Sequence, residues 1–129
     1  MCWITLLRQG SYLQEAHSNA VHNNICLIGM PGAGKSEVGR FLATTLDWQF
    51  IDTDRQIEAA AGQSLQDLLN ASGYLALRQR EETHVCTLAP QHTIIATGGS
   101  VVYSEPGMRH LKKIATVVYL ETDLTTVEA

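Results

Sequence analysis

Short apolar runs alternate with amphipathic stretches along most of this chain. Between the runs, apolar residues recur three or four positions apart, as Val38, Phe41, Leu42 and Leu46 do, and this spacing predicts helices. The apolar runs predict buried strands at 25–28, 49–51, 93–97 and 116–120. Strands that alternate with helices predict parallel βαβ units, so we expect a three-layer α/β/α sandwich built on a parallel sheet.

Glycines and one serine mark the expected helix ends. The first helix should end near Asp47, and Gly62 should stop the second. Ser64, followed by Asp67 three residues later, is typical of a helix N-cap. Gly73 interrupts the helical pattern, after which two more helices are predicted, over 74–88 and around 108–114.

Residues 1–23 carry the weakest pattern. Trp3, Ile4, Leu6 and Leu7 would pack as a short element, and polar residues then dominate. We interpret 1–23 as an N-terminal extension of unclear structure and 24–129 as one domain.

Composition and charge exclude several classes of protein. The chain has 129 residues, a formal net charge of -4 and no run of basic residues, which is unlike the electrostatic surface of a nucleic-acid-binding protein. It contains neither a stretch of about 20 apolar residues that would span a membrane nor a signal peptide. The cysteines, at 2, 26 and 86, have neither zinc-site nor disulfide-framework spacing. A cytoplasmic protein with reduced thiols and no membrane or nucleic-acid partner is expected.

The turn after the first strand of the domain carries the clearest chemistry. Gly29 to Ser36 reads G-x-x-x-x-G-K-S, which is the phosphate-binding P-loop pattern between a strand and a helix. Backbone N–H groups of such a loop surround phosphate oxygens, and the following helix directs its positive end at them. Lys35 would reach the β- and γ-phosphates of ATP, and the Ser36 hydroxyl would bind Mg²⁺. The predicted nucleotide-binding residues are Gly29, Gly32, Ala33, Gly34, Lys35, Ser36 and Glu37.

Two aspartates follow the strand at 49–51. Asp52 and Asp54 lie two positions apart, and in extended chain their side chains would point to the same side. Phosphoryl transfer needs Mg²⁺ and a carboxylate that accepts the proton of the attacking hydroxyl. Asp52 would hold the metal through water, and Asp54 would bind the acceptor hydroxyl and act as base. The alternative is that these aspartates cap the next helix.

Two further sites remain ambiguous from the residues alone. Arg78 and Glu81 lie three apart on a predicted helix, and their spacing favours a surface ion pair over a clamp in which Arg78 binds a substrate carboxylate. Gly98 and Gly99 would either form a simple turn or let backbone N–H groups approach a ligand. The five histidines show no metal-ligand spacing.

Five ordered blocks together resemble the shikimate kinase family. The family's patterns are G-x-x-G-x-G-K-S-T-x-G-R, F-x-D-x-D-x-x-I-E, G-E-x-x-F-R-x-x-E, T-G-G-G and V-V-Y-L. The matching stretches are Gly29 to Arg40, Phe50 to Glu58, Gly73 to Glu81, Thr97 to Ser100 and Val117 to Leu120. The resemblance implies ATP-dependent phosphorylation of the shikimate 3-hydroxyl, in aromatic amino-acid biosynthesis, by a protein that needs no partner subunit.

The resemblance also assigns roles to individual residues. Asp54, Arg78 and Gly99 match the shikimate-binding residues, with Arg78 as the carboxylate clamp. Ser36 and Asp52 match the magnesium site. It is the resemblance, and not the spacing, that favours the clamp over the ion pair.

The chain departs from the family pattern at four positions and at its end. Glu37 stands in place of Thr, Tyr74 in place of Glu, Leu77 in place of Phe and Ser100 in place of the third Gly. The family continues beyond the V-V-Y-L strand with an arginine-bearing lid, a further strand and a helix. The resemblance therefore implies a P-loop NTPase fold of the nucleoside-monophosphate-kinase-like type, in which 24–129 is a kinase domain incomplete at its C-terminus, without the last strand and helix. We expect little kinase activity from the chain as given, and one unpaired flank on the strand at 116–120.

Two other functions remain open at this stage. One is a P-loop kinase that acts on another small hydroxylated substrate, such as gluconate or a nucleotide. The other is a nucleotide-binding module without catalysis.

Overall fold

The computed structural model describes residues 23–30 and 34–120, together with the backbone of a strand at 3–6. The strands are β1 (Trp3–Leu6), β2 (Asn24–Ile28), β3 (Gln49–Asp52), β4 (Thr93–Ala96) and β5 (Thr116–Leu120). The helices are α1 (Lys35–Leu46), α2 (Thr53–Ala61), α3 (Leu65–Ser72), α4 (Tyr74–Cys86) and α5 (Glu105–Ile114), and a short 3₁₀ helix covers Val101–Tyr103.

The strands form one parallel sheet in the order β1-β5-β2-β4-β3. In the centre of the sheet, Ile25 of β2 lies opposite Ile94 of β4 on one side and Thr116 of β5 on the other. The carboxyl ends of β2, β3 and β4 therefore meet at one edge, where ligands bind in sheets of this kind.

The core lies on both faces of the sheet because side chains of a strand alternate between its faces. On one face, Cys26 and Ile28 pack with Val85 of α4 and Leu111 of α5. On the other face, Leu27 and its neighbours pack against α1. This arrangement confirms the predicted three-layer α/β/α sandwich.

The predicted helix ends agree with the structure at most positions. The Ser64 hydroxyl accepts a hydrogen bond from the Asp67 N–H at 3.1 Å, as an N-cap does. Gly62, with φ +70°, ends α2, and Asp47 ends α1. Phe41, one of the apolar residues whose spacing predicted α1, is 69% exposed, so not all of those residues contribute to the core.

The expectation of an unpaired flank on the strand at 116–120 was wrong. β5 has β2 on one side and β1 on the other, with Ile4 opposite Val118. Thus β1, which falls where the sequence pattern predicted a short element, supplies a backbone partner for β5. The boundary between 1–23 and 24–129 stays a prediction, although β1 belongs to the same sheet.

Asn24 connects three separate parts of the fold. Its amide Nδ2 donates to the carbonyls of Pro90 and Ile114, both at 3.0 Å. Its Oδ1 accepts from the Thr93 N–H at 3.0 Å. The side chain is only 4% exposed, so each of these backbone groups depends on Asn24 as a partner in place of water.

Replacing Asn24 with alanine should destabilise the protein by about 2–4 kcal/mol, because three buried or part-buried backbone groups lose their partner. Chemical denaturation measures this loss. The matched control is Asn23→Ala, since Asn23 is exposed and makes one long hydrogen bond, at 3.4 Å, to Gln91. The control should change stability by less than about 0.5 kcal/mol. Equal effects of the two substitutions would show that Asn24 is not the connecting residue.

Candidate active site

The loop after β2 begins with a glycine that no other residue can replace easily. Gly29 has φ +148°, and a Cβ at this position would lie 2.7 Å from the Leu120 carbonyl oxygen. The backbone at Gly29, where the loop begins, therefore packs closely against the backbone at the end of β5. Gly32 and Ala33, two of the predicted nucleotide-binding residues, lie outside the described residues.

Lys35 is held inside the loop that it follows. Its ammonium Nζ donates to the carbonyls of Gly29, at 2.8 Å, and Met30, at 2.9 Å. Burial lowers the pKa of Lys35 from its ordinary value, while the charges of Asp54 and Asp52 act in the opposite direction. A buried cation at the first residue of α1 adds to the positive end of that helix.

The N-terminus of α1 and the end of β3 are joined directly. Gly34, in the left-handed conformation, precedes α1. The Ser36 hydroxyl, one residue into the helix, donates to Asp52 Oδ2 at 3.1 Å. Glu37 is exposed in the first turn of the same helix. The structure thus brings together Ser36 and Asp52, the two residues predicted to bind the metal.

Asp52 is also the N-cap of α2, which corrects the reasoning about the two aspartates. Its Oδ1 accepts from the N–H groups of Asp54, at 3.0 Å, and Arg55, at 3.3 Å. β3 ends at Asp52, and Asp54 lies in the first turn of α2, so the two are not neighbours on one side of a strand. Asp52 therefore caps α2 through Oδ1, as the capping alternative predicted, and accepts from Ser36 through Oδ2, while its role in metal binding stays a prediction.

The carboxylate of Asp54 is half-buried and lies close to other carboxylates, both of which disfavour its charge. Its Oδ1 is buried and has no hydrogen-bond partner among the described residues. Burial and the nearby charges of Glu81, Asp52 and Glu58 together raise its pKa to about 6, while the charge of Lys35 acts in the opposite direction. A carboxylate whose pKa lies close to neutrality has the basicity that a general base requires.

Gly98 makes room for this carboxylate. A Cβ on Gly98 would lie 2.7 Å from Asp54 Oδ1 and 3.2 Å from Glu81 Oε2. The turn after β4 therefore packs against Asp54 without a side chain between them. The absence of a side chain at Gly98 thus permits a close contact with Asp54, while the approach of Gly98 and Gly99 to a ligand stays a prediction.

One cavity of about 460 Å³ connects these groups. Its lining includes Lys35, Ser36, Asp52, Asp54, Gly98 and Gly99. Three separate stretches of sequence, each following a different strand, thus meet in one depression at the carboxyl edge of the sheet. A phosphate-binding helix end, two linked oxygen ligands and a raised-pKa carboxylate in one cavity are suited to phosphoryl transfer.

Arg78 is not in that cavity. It lines a neighbouring depression of about 370 Å³, together with Glu81, Ser100 and Tyr103. The surface ion pair with Glu81 that spacing favoured is absent from the described residues, because Glu81 instead accepts a hydrogen bond from the Ser100 hydroxyl. Glu81, which also faces Gly98, stands between the two cavities.

Sequence reasoning missed Glu81 and Glu58 as parts of the site. Glu81 contributes to the pKa of Asp54, and Glu58 accepts hydrogen bonds from the Leu65 N–H, at 2.8 Å, and from Arg55, at 2.7 Å. Glu58 thereby ties α2 to the start of α3 beside the cavity. The available signal was that both residues end blocks of the family pattern.

Neither a cluster of three metal-ligating side chains nor a helix fit to cross a membrane is present in the described part of the chain. There, no three residues among His, Cys, Asp and Glu cluster in a way that would hold a metal ion. Mg²⁺ prefers oxygen ligands and keeps several waters, so the Ser36 and Asp52 oxygens fit it without such a cluster. None of the described helices has the length and apolar character needed to cross a membrane.

Comparison with known proteins identifies the family. The family model described as shikimate kinase matches residues 31–129. The chain belongs to the shikimate kinase family. Among curated shikimate kinases, it is 42% identical to that of Colwellia psychrerythraea over 106 residues, which are 81% of this chain and 62% of that protein. It is 40% identical to that of Histophilus somni over 104 residues, which are 80% and 59% of the two chains.

Solved shikimate kinases share the fold. The enzyme of Acinetobacter baumannii in complex with shikimate matches with a TM-score of 0.78 and 34% identity, over 82% of this chain and 60% of that one. The Aquifex aeolicus shikimate kinase matches with a TM-score of 0.72 and 27% identity, over 79% and 61%. The chain thus spans about 60% of the length of the shikimate kinases it matches, and the predicted family is confirmed.

Proposed function

We propose that the protein transfers the γ-phosphoryl group of ATP to the 3-hydroxyl of shikimate. The observation that carries this proposal is the single cavity in which Lys35, the Ser36–Asp52 pair and Asp54 lie together beside Gly98 and Gly99. Membership of the shikimate kinase family and the shikimate-bound relative support the choice of acceptor.

The donor half of the site is built around α1. The loop residues Gly29 to Ser36 surround the phosphates, and Lys35 exchanges its two backbone carbonyl partners for phosphate oxygens. Glu37 lies on the exposed first turn beside them. Ser36 and Asp52 are the residues that would hold Mg²⁺, which offsets charge on the β- and γ-phosphates. Because these two oxygens fill only part of an octahedral shell, waters and phosphate oxygens must complete it.

The acceptor half is built around Asp54. The Asp54 carboxylate, which lines the cavity, would accept the hydrogen bond of the shikimate hydroxyl and then its proton as phosphate transfers. With a pKa of about 6, the carboxylate is mostly ionised at pH 7 and still basic enough to take a proton. Gly98 and Gly99 would allow the sugar-like ring to approach the backbone, and Arg78 would bind the shikimate carboxylate from the neighbouring cavity.

The test compares acceptors. Release of ADP is measured with ATP and Mg²⁺ alone, and then with shikimate, gluconate or a nucleoside monophosphate added. We expect ADP release to rise above the ATP-only background when shikimate is the added acceptor, and not when gluconate or a nucleoside monophosphate is added. A response to gluconate or to a nucleotide would support another small-molecule kinase instead, and nucleotide binding without any acceptor response would support a non-catalytic binding module.

Location and assembly complete the proposal. The free cysteines of the described residues, Cys26 and Cys86, are compatible with a reducing compartment, and we assign the protein to the cytoplasm. Both proposed ligand sites are formed by residues of one chain, so we propose a monomer. Size-exclusion chromatography with light scattering would test this assignment.

A further inference from the structure

Arg78 is held between two tyrosine rings. Its guanidinium carbon lies 5.2 Å from the ring centre of Tyr74 and 5.3 Å from that of Tyr103. Both distances are within the range of cation–π attraction. Tyr74 precedes Arg78 by one turn of α4, whereas Tyr103 ends the 3₁₀ helix that follows Gly98 and Gly99. Two separate elements of the chain thus meet at one cation.

These rings are not part of the hydrophobic core. Tyr74 is 53% exposed and Tyr103 is 73% exposed. Their outer faces are open to solvent, and their arrangement around a half-buried arginine is therefore not explained by burial of apolar surface. The Arg78–ring contacts are the aromatic interactions that the structure shows for each of them.

The two acidic residues nearest to Arg78 along α4 form hydrogen bonds with serines outside that helix. Glu81 and Glu82 lie three and four positions after Arg78, where an ion pair would normally form. Glu81 accepts instead from the Ser100 hydroxyl, and Glu82 accepts from the Ser104 hydroxyl at 2.6 Å. In the described residues, Arg78 consequently has ring partners but no carboxylate partner. A charged, planar donor with free N–H groups at the rim of a cavity is suited to an incoming carboxylate.

We infer that Tyr74 and Tyr103 form an aromatic clamp that positions Arg78 for the carboxylate of the acceptor. This inference rests on the proposed function for the identity of that acceptor. The clamp restricts a long side chain before binding, so less conformational entropy is lost when the carboxylate arrives. The guanidinium makes no hydrogen bond or ion pair with the described residues, so its N–H groups are available to a carboxylate. The clamp residues are positioning residues, which act on the substrate through Arg78.

The test measures shikimate affinity by calorimetry in the full chain. Tyr74→Ala and Tyr103→Ala should each weaken shikimate binding about two- to fivefold, which is the effect expected from one exposed cation–π contact. Tyr74→Phe and Tyr103→Phe keep the ring and should bind like the wild type. ADP affinity should not change in any of the four variants, and Phe41→Ala serves as control for loss of an exposed ring remote from the site.

A double-substitution cycle separates positioning from a general structural effect. Where Arg78 is already alanine, adding Tyr103→Ala should cause no further loss of shikimate affinity. An equal further loss in that background would overturn the clamp. Equal shikimate affinity in the wild type and in both tyrosine-to-alanine variants would overturn it as well.

A spectroscopic readout distinguishes failure of the clamp from failure of the proposed function. In ¹⁵N-labelled protein, the Arg78 Nε–Hε resonance, assigned by its loss in Arg78→Ala, should be shifted by the ring currents. Tyr103→Ala should move it towards the value of a free arginine, and Tyr103→Phe should not. If the resonance is shifted but the protein does not bind shikimate, the result would contradict the proposed function and would still support the clamp. An unshifted resonance would contradict the clamp whatever the acceptor.

Discussion

Substituting Lys35 with methionine should weaken ATP binding by roughly 100-fold or more, because the substitution removes the charged ammonium group and its hydrogen bonds to two phosphates. The ammonium is already directed into the loop, where it lies 2.8 Å from the Gly29 carbonyl and 2.9 Å from that of Met30. Methionine retains the length and apolar stem of the side chain, so the loss is one of charge and hydrogen bonding. Calorimetry with a non-hydrolysable ATP analogue and Mg²⁺ measures the effect.

The same substitution leaves two loop carbonyls without their donor, so stability must be measured in parallel. We expect a decrease of about 1–2 kcal/mol, insufficient to unfold the chain. Shikimate affinity should stay within about twofold of the wild type, since Lys35 belongs to the donor half of the site. Lys113→Met, in the last turn of α5, is the matched control and should change neither affinity. Undiminished ATP affinity in Lys35→Met would remove the basis for assigning the loop to phosphate binding.

Substituting Asp54 with asparagine has two opposite effects. It should reduce shikimate-dependent ADP release by about 10²–10⁴-fold, because asparagine cannot accept the proton of the attacking hydroxyl. At pH 7 it should also raise the free energy of unfolding by roughly 1 kcal/mol, since a half-buried charge beside other carboxylates is removed. A residue kept at a cost in stability is characteristic of a functional site.

The pH dependence of this stability difference has a definite sign. The pKa of Asp54 is raised in the folded protein from its ordinary value of 3.8 to about 6, so the folded state binds the proton more tightly than the unfolded state. The resulting stabilisation is fully present below pH 3.8 and is lost as the pH rises through 6. Asp54→Asn has no titrating group at this position and does not lose this stabilisation. The two proteins should therefore have similar free energies of unfolding near pH 4, and by pH 7 the wild type should be the less stable of the two. Asp67→Asn, at an exposed carboxylate in the first turn of α3, is the control. If the wild type and Asp54→Asn have equal free energies of unfolding at pH 7, the ionised Asp54 carboxylate does not destabilise the folded protein.

The sheet and most helices could be predicted because their signals are local. The strand at Thr116–Leu120 is an unbroken apolar run, and Ser64 with Asp67 is a capping pattern that needs no tertiary information. The P-loop likewise combines a local sequence pattern with the strand and helix on either side. Such features are encoded within a few neighbouring residues, so reading along the chain finds them.

The features that sequence reasoning missed depend on contacts between distant residues. Spacing on α4 favoured an Arg78–Glu81 ion pair, but Ser100, 19 residues later in the chain, binds Glu81 instead. The placement of Asp54 in extended chain had a different, local cause: the sequence also allowed the aspartates to cap the next helix, and the structure shows that Asp52 does so. The partner of β5 lies more than a hundred residues earlier, in β1. Competition among partners for one side chain or one strand edge is decided only in three dimensions.

Identification of the phosphorylated product tests the central claim most directly. The full chain is incubated for many hours with ATP, Mg²⁺ and an equimolar mixture of shikimate and gluconate, and the products are analysed by mass spectrometry and ³¹P NMR. A single phosphate monoester should accumulate, on the 3-hydroxyl of shikimate, and in a parallel incubation with Asp54→Asn it should form at least about 100-fold more slowly. Phosphorylated gluconate, or ADP formed without any phosphorylated shikimate, would contradict the assignment of Asp54 and its cavity to shikimate phosphorylation.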